Sequence, residues 1–78
     1  MIPQIDRLQI ILDKILLDRY PQIKHIQVFE DSNSTISVQV FLIEGFEDSI
    51  YDIENEVRKI SKMISIPIRD VLFKSTPI

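Results

Sequence analysis

The side chains of this chain that could do chemistry are one histidine, seven serines and twelve carboxylates, with no cysteine at all. A hydrolytic triad needs a base beside its nucleophile, and only His25 could serve Ser32, Ser34, Ser37, Ser49, Ser61, Ser65 or Ser75. None of these serines stands in a nucleophile-elbow pattern. A transition metal takes three or four ligands, and His25 has neither a second imidazole nor a thiolate to join it. A single glycine, Gly45, rules out a glycine-rich phosphate loop. The acids Glu44, Glu47, Asp48, Asp52, Glu54 and Glu56 have no base among them, whereas Arg58, Lys59, Lys62, Arg69 and Lys74 follow with only Asp70 opposed. A helix with an acidic start and a basic end, matched to its dipole, explains this order better than acid/base catalysis does. The residues point away from an enzyme and call for no cofactor or metal.

Composition narrows the classes further. A chain of 78 residues with 45% hydrophobic and 27% charged content reads as one soluble globular domain spanning residues 1–78. The net charge of −3 argues against nucleic acid as a partner, because phosphate binding draws on lysine and arginine to release counterions. No apolar run approaches a membrane span, and the segment MIPQIDRLQ lacks the basic and apolar regions of a signal peptide. Together with the absence of cysteine, this sets a cytoplasmic expectation without membrane insertion.

Five elements organise these residues. Ile5, Leu8, Leu12, Ile15 and Leu16 recur at the spacing of one helical face, which predicts a helix over residues 3–19, ended by Tyr20-Pro21. Ile10 and Leu17 lie outside that stripe and form a second, narrower seam. Strands are expected over 23–30 and 34–43. Because side chains alternate across a pleat, the even-numbered Ile26, Val28, Ile36, Val38, Val40 and Leu42 make the core face. Ile23, His25, Gln27, Phe29, Thr35, Ser37, Gln39, Phe41 and Ile43 make the other. For both core faces to coincide, paired positions must sum to an even number, so the hairpin needs an odd loop. Residues 31–33 fit, with Asn33 left-handed, Val28 opposite Ile36 and Ile26 opposite Val38. Asn33-Ser34-Thr35 also spells a glycosylation sequon, which without a secretory signal is read as chance.

After Gly45 the stripe Phe46, Ile50, Ile53, Val57, Ile60, Ile64 predicts a second helix, opened by Ser49 and Asp52 as a capping box and closed near residues 63–65. A third strand is expected over 68–74, where alternation leaves the inward face open between Val71 with Phe73 and Ile68 with Leu72. The expected fold is an α+β two-layer sandwich of order α-β-β-α-β. Its three-stranded sheet has order 1-2-3, strand 3 is parallel to strand 2, and both helices lie on one face. An antiparallel third strand beside strand 1 is the other arrangement compatible with the pattern.

The helix-free face then carries His25, Gln27, Phe29, Ser37, Gln39 and Phe41, and would gain Phe73 were strand 3 turned that way. Phenylalanines among neutral polar groups suit a protein contact or self-association. They also suit base stacking, though no Arg or Lys is placed on that face apart from Arg69. Ile10 and Leu17 offer a second contact.

In layout, residues 20–77 are similar to the cytoplasmic domain of cation diffusion facilitator transporters, through Tyr20-Pro21-x-Ile23, a helix beginning at Ser49 and a last strand leading to Pro77. That resemblance implies a dimerising metal sensor, for which His25 is the sole histidine this chain offers. Phe29-Glu30-Asp31-Ser32, Phe46 and Phe73-Lys74-Ser75-Thr76-Pro77 resemble the BolA family, although residues 61–67 replace its histidine-bearing motif. KH domains share the two-layer plan, without their glycine-flanked loop here. The leading expectation is a non-enzymatic interaction module, with a protein partner or a second copy (a homodimer) on the sheet face. The alternatives are a KH-like single-stranded RNA-binding domain and a regulatory metal-sensing domain.

Overall fold

The computed structural model describes residues 3–77. Helix α1 (Pro3–Arg19) leads into strands β1 (Ile23–Glu30) and β2 (Ile36–Ile43), then helix α2 (Ile50–Met63) and strand β3 (Val71–Thr76). The sheet has order β1-β2-β3, with β1 and β2 antiparallel and β2 and β3 parallel, which is the expected α+β topology. Leu8, Leu12 and Leu16 of α1 and Ile53, Val57 and Ile60 of α2 close over Ile26, Val28, Ile36, Val38, Val40 and Leu42. All the even-numbered strand positions named for the core are buried. The third strand begins and ends later than the 68–74 expected, because Ile66 is drawn into the core and Ile68 is half-buried ahead of the ladder.

The hairpin keeps its parity but moves its register by two. Val28 pairs with Val38 and Ile26 with Val40, not with Ile36 and Val38 as expected. The cause lies in the turn. The Asp31 carboxylate accepts from the backbone N–H of Asn33 (2.9 Å) and Thr35 (3.2 Å) and from the Thr35 hydroxyl, while Asp31 N–H donates to Thr35 C=O at 2.8 Å. Asp31 thus closes the loop against Thr35, leaving residues 32–34 as the turn and placing Ser34, not Asn33, in the left-handed region at φ 60°. A β-carbon is disfavoured there, so Ser34→Gly should raise stability by about 0.5–1 kcal/mol in urea denaturation. An unchanged or lower midpoint would count against this turn.

One side chain expected on the open face crosses to the core. A bulge between Ile23 and His25 makes Lys24 the extra residue, so Ile23 lands beside Ile26 and is 5% exposed. At the start of α2 the expected capping box is absent. A 3₁₀ turn (Glu47–Ser49) precedes the helix, Ser49 makes no side-chain cap, and its hydroxyl instead accepts from Gln22 Nε2 at 2.8 Å. Phe46 consequently stays outside the apolar stripe, 47% exposed. Gly45 turns the chain at φ 102°, a conformation that suits the one residue without a β-carbon. The far end of α2 closes with Ser65 at φ 59°, Ile66 N–H bonding Ser61 C=O and Ser65 N–H bonding Lys62 C=O. That is a Schellman closure, and its next residue, Ile66, is buried.

Candidate interaction surface

The parallel register decides what β3 adds to the uncovered face. Val71 and Phe73 stand beside Val38 and Val40 and pack on the core, whereas Leu72, Lys74 and Thr76 stand beside Gln39, Phe41 and Ile43. Phe73 therefore does not join the open face. Leu72 does, 43% exposed, a residue that sequence alternation left undecided.

Four rows cross this face. Ile43 and Thr76 form the first, His25, Phe41 and Lys74 the second, Gln27, Gln39 and Leu72 the third, and Phe29 and Ser37 the fourth. The His25 and Phe41 rings lie 5.6 Å apart between centroids with a 33° tilt, a contact that holds both side chains on the surface. Lys24, His25, Phe41 and Thr76 border a shallow hollow of about 220 Å³ there. Phe29, Gln39, Phe41 and Ile43 are half-buried, while His25 and Gln27 are exposed. Ser37 is different, being 2% exposed with its hydroxyl donated to Asp31 at 3.1 Å. It supports the turn more than it offers a contact.

Asp31 anchors that end of the face. Hydrogen bonds from the Thr35 hydroxyl, the Asn33 and Thr35 N–H groups and the Ser37 hydroxyl hold its carboxyl below the usual 3.8, at about 2, against an opposing effect of burial. A depressed carboxylate contributes stability that is complete above the unfolded pKa near 4 and is lost as pH falls through about 2. Thermal melts of wild type and Asp31→Asn should therefore differ at neutral pH and converge across that acid window. A gap that stays constant with pH would refute the assignment. Arg69 lies near Asp31 at 3.8 Å and Asp70 at 3.6 Å, exposed and loosely paired.

The second expected contact is on α1. Ile10 is 66% and Leu17 38% exposed, both pointing away from the sheet. Ile10 also borders a broad hollow of about 630 Å³ with Ile11, Lys14, Ile15, Asp18 and Arg19. The sheet face and this seam lie on opposite layers, so one flat partner surface cannot engage both.

Among the described residues, no cluster of three or more His, Asp or Glu side chains could hold a metal ion, and no helix is long and apolar enough to cross a membrane. No protein-family model, curated protein or solved structure gives a significant match to the chain. None of the resemblances to cation diffusion facilitator, BolA or KH domains is supported by these comparisons.

Proposed function

We propose that this chain is a small non-enzymatic binding module that takes a protein partner on the helix-free face of its sheet. The observation that carries this reading is the composition and exposure of that face. Half-buried Phe29, Phe41 and Ile43 and exposed Leu72 are set among the amides Gln27 and Gln39, with Lys74 beside Phe41. Apolar anchors framed by uncharged polar groups are the usual make-up of an interface core, and a fully solvated face has little reason to keep them. The cytoplasmic setting expected from the lack of cysteine belongs to the same reading.

Phe41→Asp places a charge on the central strand of this face without touching the core. It should leave the melting temperature close to wild type and reduce affinity for a purified partner by tenfold or more, as loss of a central aromatic anchor does, measured by calorimetry. A folded Phe41→Asp protein that keeps every interaction of the wild type would overturn the proposal.

Single-stranded RNA is the second reading, favoured by one specific observation: Lys74 lies directly beside Phe41, so a cation and a stacking ring share a row. Fluorescence titration with a single-stranded oligoribonucleotide at low salt separates the two. Saturable binding that Phe41→Asp and Lys74→Glu both remove would favour RNA, and no binding would end that reading.

A further inference from the structure

The two edges of the sheet are treated differently. On β1, the Gln9 side chain of α1 docks on the outward backbone, donating Nε2–H to Ile26 C=O at 2.8 Å and accepting Val28 N–H at 2.8 Å. The bulge at Lys24 breaks the same edge further along. These are recognised ways of closing an edge strand. On β3, Thr76 C=O accepts from Glu44 N–H and Asp70 C=O from Val38 N–H, so the even-numbered positions face β2. The N–H and C=O groups of Val71, Phe73 and Ser75 then point away from the sheet, and no partner for them occurs among the described residues.

The geometry points to a second copy of this chain as the occupant of the β3 edge, paired antiparallel about a two-fold axis at Leu72. Charge and shape select both the partner and the register. With Leu72 on the axis, Asp70 of each copy stands directly opposite Lys74 of the other, flanking a Leu72–Leu72 contact on the helix-free face. On the helix side, Val71 stands opposite Phe73, and these two residues exchange the outward backbone hydrogen bonds. Moving the axis to Phe73 forms more backbone bonds but sets Leu72 against Lys74 and Val71 against Ser75. Moving it to Lys74 opposes like charges.

The flank of α2 nearest this edge repeats the pattern. Glu56 is paired with Arg19 of α1, while Glu54 and Arg58, on the opposite flank of the helix by their spacing, are paired with each other at 3.1 Å. Arg58 also borders the cleft with Ile66, Pro67 and Ile68 that leads into β3. Two antiparallel copies of α2 would bring Glu54 of one toward Arg58 of the other. An isologous contact of this kind yields a closed dimer with a six-stranded sheet, because the outer β1 edges are already blocked. It goes beyond the reading of the sheet face and stands without it, since edge pairing leaves that face free and makes it continuous across both copies.

Sedimentation of the full chain at micromolar concentration should give twice the 9.2 kDa mass. Asp70→Lys and Lys74→Asp each oppose like charges and should each weaken the dimer by about tenfold. The Asp70→Lys/Lys74→Asp double variant should restore it, which a merely misfolded single variant could not do. Val71→Pro removes an outward N–H at the first strand position and should give a folded monomer, whereas Val71→Ala should remain dimeric. A monomer at every concentration, or charge variants without mutual rescue, overturns the proposal. Phe41→Asp separates it from the sheet-face reading: a dimer that survives Phe41→Asp supports edge pairing, and one lost to Phe41→Asp but not to Asp70→Lys overturns it in favour of face-to-face association.

Discussion

Leu12→Ala is expected to lower the unfolding free energy by about 3–5 kcal/mol, the range found when a fully buried leucine is truncated and the cavity does not collapse. Leu12 is 0% exposed, with Leu8 and Leu16 one turn away on either side and equally buried. A domain of 78 residues has a stability near the low end of roughly 5–15 kcal/mol, so this one change should consume most of it. The same truncation at Ile10 or Leu17, on the outward side of the same helix, should move the urea midpoint by no more than about 0.5 kcal/mol equivalent. The three variants share one element and similar helix propensities, so their difference reports burial. Equal shifts at Leu12 and Ile10 would mean that the faces of α1 are misassigned.

Gln9→Leu should have the second largest effect, about 1–3 kcal/mol, and it should change behaviour as well as stability. The amide of Gln9 gives β1 one donor and one acceptor in the spacing a neighbouring strand would supply. It is held for that role by Asp13, whose carboxylate accepts from Nε2 at 3.1 and 3.2 Å. Leucine fits the space but leaves Ile26 C=O and Val28 N–H without a protein partner, and it uncovers an edge able to recruit further strands. Amide hydrogen exchange should show lost protection at Val28 ahead of its neighbours, and light scattering should show association growing with concentration. Gln9→Glu gives an informative intermediate: it can accept from Val28 but cannot donate to Ile26, and Asp13 repels it. Unchanged protection at Val28 in Gln9→Leu would remove the edge-closing role.

Gln9 also shows what pattern reading could not see. In the sequence it is a polar residue at the margin of the stripe formed by Leu8, Leu12 and Leu16, where glutamine on a solvated flank is ordinary. Its partners, Ile26 and Val28, lie far along the chain, so no local spacing announces the contact. The same holds for Asp31. Asp followed by Ser-Asn-Ser-Thr signals a turn, and parity limited that turn to an odd loop. The choice between residues 31–33 and 32–34 depended on how many donors one carboxylate could gather, including Ser37 from within β2. Ser49 illustrates the converse case, where a sound local capping pattern loses to a tertiary competitor, the amide of Gln22.

The sheet-face residues were legible because alternation along β1 and β2 is strict wherever one face is buried. Their expected core faces are the observed ones, apart from Ile23 across the bulge. On β3 the reading stopped, since Ile68, Val71, Leu72 and Phe73 offer apolar side chains to both sides and a parallel strand takes its register from its neighbour.

Local chemistry by itself determined the element order, the buried stripes of both helices and the alternation of the hairpin. These follow from periods of 3.6 and 2 and from residue types, which operate within a few positions of the chain. Tertiary structure alone decided the turn anchored by Asp31, the face of β3, the closing of one sheet edge by Gln9 and the exposure of the other. Those are contacts between distant residues competing for the same hydrogen-bonding groups, and only the folded arrangement selects which pair meets.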